Sequence, residues 1–187
     1  MKSLTDKPRG FVTFSYFTAQ KELLGIFEEI IKKKYKTDIY ILDEYKVDDF
    51  TEYYSAEMGK PLWKKIICLK KDFFQENLFK IKLWTTKIEK KYSKRIQRQI
   101  NIDPGFLLLE NFILLTNKRF SHRIYLGKGV FGDLELIYKA GKYNPLSWTY
   151  PDYKSRHVLD FLEDCRKKLY DVINQSRING IKNILKF

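Results

Sequence analysis

Residues 121–138 read SHRIYLGKGVFGDLELIY, with Gly127, Gly129 and Gly132 at G-x-G-x-x-G spacing. How this stretch is read decides the fold. A dinucleotide-binding fingerprint needs a helix directly after its glycines, because the helix N-terminus holds the pyrophosphate. Here DLELIYK (133–139) follows Gly132, alternates apolar with polar residues and carries no helix start. Strands on both sides predict a β-hairpin, with Gly127 and Gly129 supplying positive φ in the turn. A protein-kinase glycine loop is also strand–loop–strand, but the chain has no H-R-D and no D-F-G. The P-loop pattern G-x-x-x-x-G-K-[ST] is likewise absent.

Upstream, RGFVTFSYF (9–17) is rich in aromatic and β-branched residues and reads as a strand. Thr18 is the expected cap of a helix reaching about Lys34, with Leu23, Phe27, Ile30 and Ile31 on its inner face. Strands follow at 37–47 and 62–71, joined by an acidic, aromatic connection at 48–61. A second helix is expected from about Gln75 to Arg95, burying Leu78, Ile81, Thr85, Ile88 and Tyr92. RQINI (98–102) reads as a fourth strand, stopped by the turn signal DPG (103–105). This βαββαβ order predicts an α+β, ferredoxin-like core over 9–105, with two helices on one face of an antiparallel sheet. Residues 106–187 extend it with FLLLENFILL, the hairpin and a C-terminal helix from about Ser155. That helix buries Val158, Phe161, Leu162, Cys165, Leu169 and Val172, and the tail past Gly180 is expected to prolong it. Without a linker or repeat, the 187 residues read as one domain.

Hydrophobic residues make up 44% and aromatics 16%, which excludes a disordered chain. No apolar run reaches the ~20 residues of a membrane span, and the first seventeen residues contain no signal-peptide core. Two cysteines, Cys68 and Cys165, form neither a metal spacing nor a disulfide framework, so the expected compartment is a reducing cytoplasm. With two histidines in all, no metal site is expected. The net charge is +13 and unevenly spread: residues 64–98 hold twelve Lys or Arg and three acids, residues 38–57 seven acids and one base. Such asymmetry points to a polyanionic partner, a nucleic acid or nucleotide; a lysine-rich solvated surface gives the same composition.

Lys80, Trp84, Lys87, Lys91, Lys94 and Arg98 recur at helical spacing. They would form a basic stripe with an aromatic stacking platform, or a solvated face with Trp84 turned inward. His122 shares its strand face with Ile124 and Leu126, the usual setting of a core histidine, although its chemistry suits proton transfer. Arg123 is placed to pair across the hairpin with Asp133, and His157 reads as surface. Asp49, Glu52, Glu57, Asp103, Asp133 and Asp152 are the carboxylates worth weighing. None sits in a metal-loop pattern, and Asp103 and Asp152 are in turn-like contexts.

Five stretches in order, DFTEYYSAEMGKPL (49–62), IKLWTTKIE (81–89), RQINIDPGFL (98–107), RFSHRIYLGKGVF (119–131) and PLSWTYPDY (145–153), resemble the successive motifs of the bacterial domain-of-unknown-function family 4416. The resemblance spans about residues 9–170 and leaves out the basic tail after about Gln175. It implies no established activity; a GTP-binding role would have to work without a P-loop. It does single out Glu52, Tyr53, Glu57, Lys82, Trp84, Arg98, Asn101, Asp103, His122, Arg123, Trp148, Tyr150 and Asp152 as a polar and aromatic set suited to a ligand.

The leading expectation is binding of a nucleic acid or phosphorylated ligand, with Lys82, Arg98 and Arg123 on phosphate and Trp84, Trp148 and Tyr150 at the ligand. The rival is an enzyme on a nucleotide-like substrate, with His122 as acid–base and Asp103 or Glu57 as its carboxylate. The third is a partner-binding structural protein. Glu57, Arg98, Asp103, His122 and Trp148 are expected to line one shared concave site.

Overall fold

A computed structural model of the chain describes residues 7–93 and 97–184, with side chains described for 7–93 and 97–176. Strand β1 (Arg9–Thr18) is central, because its aromatic and β-branched residues are buried on both faces. It is followed by α1 (Glu22–Tyr35), β2 (Ile39–Lys46), a 3₁₀ turn at Val47–Asp49, the single-turn helix α2 (Ser55–Met58), β3 (Trp63–Phe74), α3 (Phe79–Lys91), β4 (Asn101–Leu107) and β5 (Asn111–Thr116). The rest is β6 (Arg123–Gly127), β7 (Val130–Lys139), β8 (Lys142–Pro145), a 3₁₀ turn at Pro151–Lys154 and α4 (Arg156–Ile184). All eight strands form one sheet in the order β2-β3-β1-β4-β5-β7-β6, with β8 also on β7, and every pairing is antiparallel. The architecture is mixed α and β, and the sheet is larger than the four strands of a ferredoxin-like core. None of the described helices is long and apolar enough to cross a membrane.

Strand alternation sends two different faces to two helical layers. Val12, Phe14 and Tyr16 of β1 pack under α1 and α3 with Leu24, Phe27, Ile31 and Leu78. On the opposite face, Phe11, Ile66, Cys68, Leu107 and Phe112 pack under α4 with Val158, Leu162 and Leu169. Burying each such aliphatic side chain stabilises the fold by about 1.5–3 kcal/mol. The face that α1 and α3 leave free is thus half covered by α4, which runs on through Gly180 to Ile184 as expected. Where α4 stops covering, the face turns polar. β1 changes from Phe11 to Thr13 and Ser15, β3 from Ile66 to Lys64, and β4 from Leu107 to Asp103.

Several expected boundaries shift for identifiable reasons. Thr18 ends β1 instead of capping α1: its hydroxyl donates to the Gln99 carbonyl at 2.6 Å and accepts from the Gln20 N–H. α3 begins at Phe79, not Gln75, because β3 continues to Phe74 and Asn77 sits at φ 56°. Its buried face is Leu78, Lys82, Thr85 and Glu89, two charged residues among them. The DPG of 103–105 lies inside β4, where Pro104 pairs with Phe14 and Gly105 with both Thr13 and Leu114. Ile102 turns its N–H away from β1, toward Glu89, so Pro104, two residues on, turns its missing N–H the same way. The β4–β5 ladder therefore ends at Gly105–Leu114, and 101–104 part from β5. Gly105 is needed for space: a Cβ there would stand 2.5 Å from Thr13 Oγ1 and 2.9 Å from the Phe112 ring.

Residues 121–138 form the expected hairpin, β6 to β7, with Gly127 at φ 108° and Gly129 at φ 76°. Gly127→Ala is expected to cost about 1 kcal/mol through that backbone conformation alone, since the nearest atom to its Cβ is 3.8 Å away. Denaturant titration checks this, and ligand affinity in the folded variant is expected to stay unchanged.

Candidate functional site

The split between β4 and β5 is closed from below by α3. Lys82 Nζ donates to the Ile102 carbonyl at 2.8 Å and reaches Asp103 Oδ1 at 3.2 Å. Glu89 Oε1 accepts the Ile102 N–H at 2.7 Å. Two side chains one heptad apart on α3 thus replace the missing neighbouring strand at the exposed edge of β4. Burial pushes the Glu89 carboxyl up, and the charge of Lys82 opposes that shift.

Above the split, on the polar half of the second face, lies a cavity of about 470 Å³. Its floor is Ser15, Lys64, Asp103 and Leu114 of the sheet. Its walls are Phe50, Tyr53 and Tyr54 from the β2–β3 connection, Lys118, Arg119, Phe120 and Arg123 around the β5–β6 connection, and Tyr150 to Tyr153 before α4. Two acids of the β2–β3 connection are tied down within it or to its ends. Asp48 accepts the Leu62 N–H at 2.7 Å, and Glu52 pairs with Lys60 at 2.7 Å.

Two polar networks flank the cavity. In the first, Arg98 grips both oxygens of Glu57, with Nε 2.6 Å from Oε1, and donates to Asn101 Oδ1 at 2.6 Å. Asn101 Nδ2 in turn donates to Asp103 Oδ2 at 2.6 Å. The Arg98 bonds hold the Glu57 carboxyl below the usual carboxylate range. In the second, the buried Asp133 accepts from Arg123 Nε at 2.7 Å, and His122 Nε2 lies 3.1 Å from its other oxygen. Arg123 also donates to the Lys118 carbonyl at 3.0 Å and to the Tyr150 hydroxyl at 3.1 Å. His122 stacks on Trp148 with centroids 4.7 Å apart, and Trp148 Nε1 donates to the Leu134 carbonyl at 2.8 Å. Next to Asp133, Glu135 is fully buried; burial, then the charge of Asp133, pushes its carboxyl up to about 8. Its Oε2 accepts the Tyr150 N–H at 3.0 Å.

The five residues expected to line one site therefore do not share a cavity. Asp103 lines it; Glu57 and Arg98 stand behind one wall, His122 and Trp148 behind the other. His122 does not meet Asp103 or Glu57: its carboxylate neighbour is Asp133, because the hairpin register sets Arg123 against Asp133. Of the expected phosphate and stacking residues, Arg123 and Tyr150 reach the cavity. Lys82 is buried under Ile102, and Arg98 is engaged by Glu57. Trp84 turns inward against Phe14, Phe27 and Tyr35, so the α3 stripe has no free aromatic. Lys80, Lys87 and Lys91 are exposed, and Lys94 lies outside the described residues. His157 is exposed beside Tyr45, as expected. Cys68 and Cys165, distant in sequence, share the core under α4. Among the described residues no group of His, Cys, Asp or Glu could hold a metal ion.

The sequence reading passed over Lys118, Arg119, Phe120, Lys64, Ser15, Tyr153 and Glu135. The signal available was NKRF (117–120), two cations and an aromatic in a loop directly before the hairpin. No curated protein and no solved structure matches the chain. Residues 8–169 match the family described as Domain of unknown function (DUF4416), and the chain belongs to that family.

Proposed function

We propose that the protein binds a small phosphorylated ligand with a planar group, such as a nucleotide, in the cavity on the polar half of the sheet. One observation carries this reading. A space of about 470 Å³, within the ~300–1,000 Å³ usual for ligand sites, is walled by aromatic rings and bordered by Lys118 and Arg119. Neither of these cations has a carboxylate partner among the described residues. Cations with free donors suit phosphate, and exposed rings such as Tyr53 and Phe120 suit a planar group. Lys80, Lys87 and Lys91 lie on the opposite, α3 side and are not needed for it. The fold reading that accompanies this is a ferredoxin-like half, supported by the order β2-β3-β1-β4 with α1 and α3 on one face.

Calorimetric titration of the purified chain with adenosine and guanosine 5′-monophosphates tests the reading. Arg119→Ala is expected to weaken binding roughly tenfold, the value of one charge-assisted hydrogen bond of about 1.5 kcal/mol. The wild-type affinity is expected to fall with added salt, and the variant's to fall less. No heat with either nucleotide at millimolar concentration would remove the proposal.

A further inference from the structure

Three elements meet where β5 ends and β7 begins. The Thr86 hydroxyl of α3 donates to Asn117 Oδ1 at 3.4 Å, and Asn117 Nδ2 donates to the Gly129 carbonyl in the β6–β7 turn at 3.1 Å. On the next residue, Lys118 Nζ lies 5.0 Å from the centre of the Tyr53 ring, which belongs to another wall of the cavity. Residues 117 and 118 therefore carry the surface around the end of the sheet, from the α3 layer on one face to the cavity on the other.

This surface is basic without interruption. Residues 117–129 contain Lys118, Arg119, Arg123 and Lys128 and no acid. From α3 come Lys87, next to Thr86, and Lys90, one turn beyond it, while the only acid of that helix, Glu89, is buried. Lys87, Lys90, Lys118, Arg119 and Lys128 are all exposed, and none has a carboxylate partner among the described residues. A cation in the last turn complements the helix dipole, which accounts for Lys90. It does not account for Lys87 in mid-helix, or for three more cations on two neighbouring connections. Like charges gathered on one surface repel, and an anion that spans them relieves the repulsion.

The shape of the surface selects the anion. These cations turn a corner between two faces, so a flat anionic surface such as a membrane cannot meet them all, whereas a flexible strand can. The path also begins at a cavity walled by aromatic rings, which suits an unpaired base; a duplex keeps its bases inside the stack. Resting on the nucleotide reading above, we infer that the protein binds single-stranded nucleic acid, with one nucleotide in the cavity and the adjoining phosphates on Lys128, Lys87 and Lys90.

The test compares adenosine 5′-monophosphate, a fluorescein-labelled hexa-adenylate and a blunt RNA duplex. The hexa-adenylate is expected to bind at least about tenfold more tightly than the mononucleotide, with a slope of log K against log salt steeper by about 2, three phosphate contacts at ~0.7 each. Excess mononucleotide is expected to displace it, and the duplex to bind at least about tenfold more weakly than the single strand. Changing Lys87, Lys90 and Lys128 together to Gln is expected to remove the extra affinity and the extra slope. Melting temperature and mononucleotide affinity are expected to stay unchanged, because all three side chains are exposed and outside the cavity. A hexa-adenylate no tighter than the mononucleotide, an undiminished slope in the triple variant, a duplex as tight as the single strand, or a hexa-adenylate that the mononucleotide does not displace overturns the strand path and leaves the nucleotide cavity standing. No binding of any of the three probes overturns both readings.

Discussion

Lys82→Met is expected to lower the stability of the protein by about 3 kcal/mol, the usual cost of breaking a buried charged arrangement by removing one partner. The Lys82 side chain is 7% exposed, and its ammonium group is committed to the Ile102 carbonyl and to Asp103. Methionine keeps the stem and removes the donor. The Ile102 carbonyl then has no partner at the edge where Pro104 has already ended the strand ladder. Glu89, whose carboxyl is raised by burial and drawn back by Lys82, loses that opposing charge. Its folded-state pKa rises further above the unfolded value, so the penalty grows as the pH rises. Urea titration at two pH values reads both effects. A Lys82 serving only as a phosphate contact would leave stability within about 0.5 kcal/mol on substitution, and that result would refute the clamp.

The same residues explain what was legible. The strands and helices of 9–93 follow from alternation and helical spacing, because most buried positions there are apolar. Lys82 and Glu89 escaped because periodicity assigns charged residues to the outside, and nothing local reveals that a strand edge needs a donor and an acceptor from a helix. Asp-Pro-Gly is a turn signal in isolation. It becomes strand only because Pro104 faces the one edge without a neighbour and Gly105 fits a space no Cβ can enter. The cavity was out of reach for a third reason. Its walls come from three connections joined only by the fold, and its location depends on α4 covering the apolar half of a face and leaving the polar half free. The aromatics of 48–61 were visible as composition, but that Phe50, Tyr53 and Tyr54 border a cavity follows only from where the fold places this connection against the loops before β6 and α4.

Glu135→Gln is expected to remove much of the fall in stability between about pH 5 and pH 8. Glu135 is fully buried beside Asp133, which raises its carboxyl from the ordinary 4.5 to about 8. Between those values the folded chain holds a proton that the unfolded chain has released, so stability falls as the pH rises through that window. At about 1.4 kcal/mol per pH unit, the loss between about pH 5 and pH 8 is on the order of 3 kcal/mol. Glutamine is neutral throughout and still offers an oxygen to the Tyr150 N–H, the bond that fastens the Tyr150–Tyr153 wall to β7. Melting curves of the two proteins should nearly coincide at about pH 5 and separate progressively toward pH 8, with the variant melting higher. A thermal difference that stays constant over this range would mean that Glu135 keeps the same protonation state in both folded and unfolded chains. Because the bond to Tyr150 is preserved, phosphate-probe affinity at about pH 6 is expected to be the same in both proteins. Loss of affinity at that pH would show instead that the carboxyl itself takes part in holding the ligand wall.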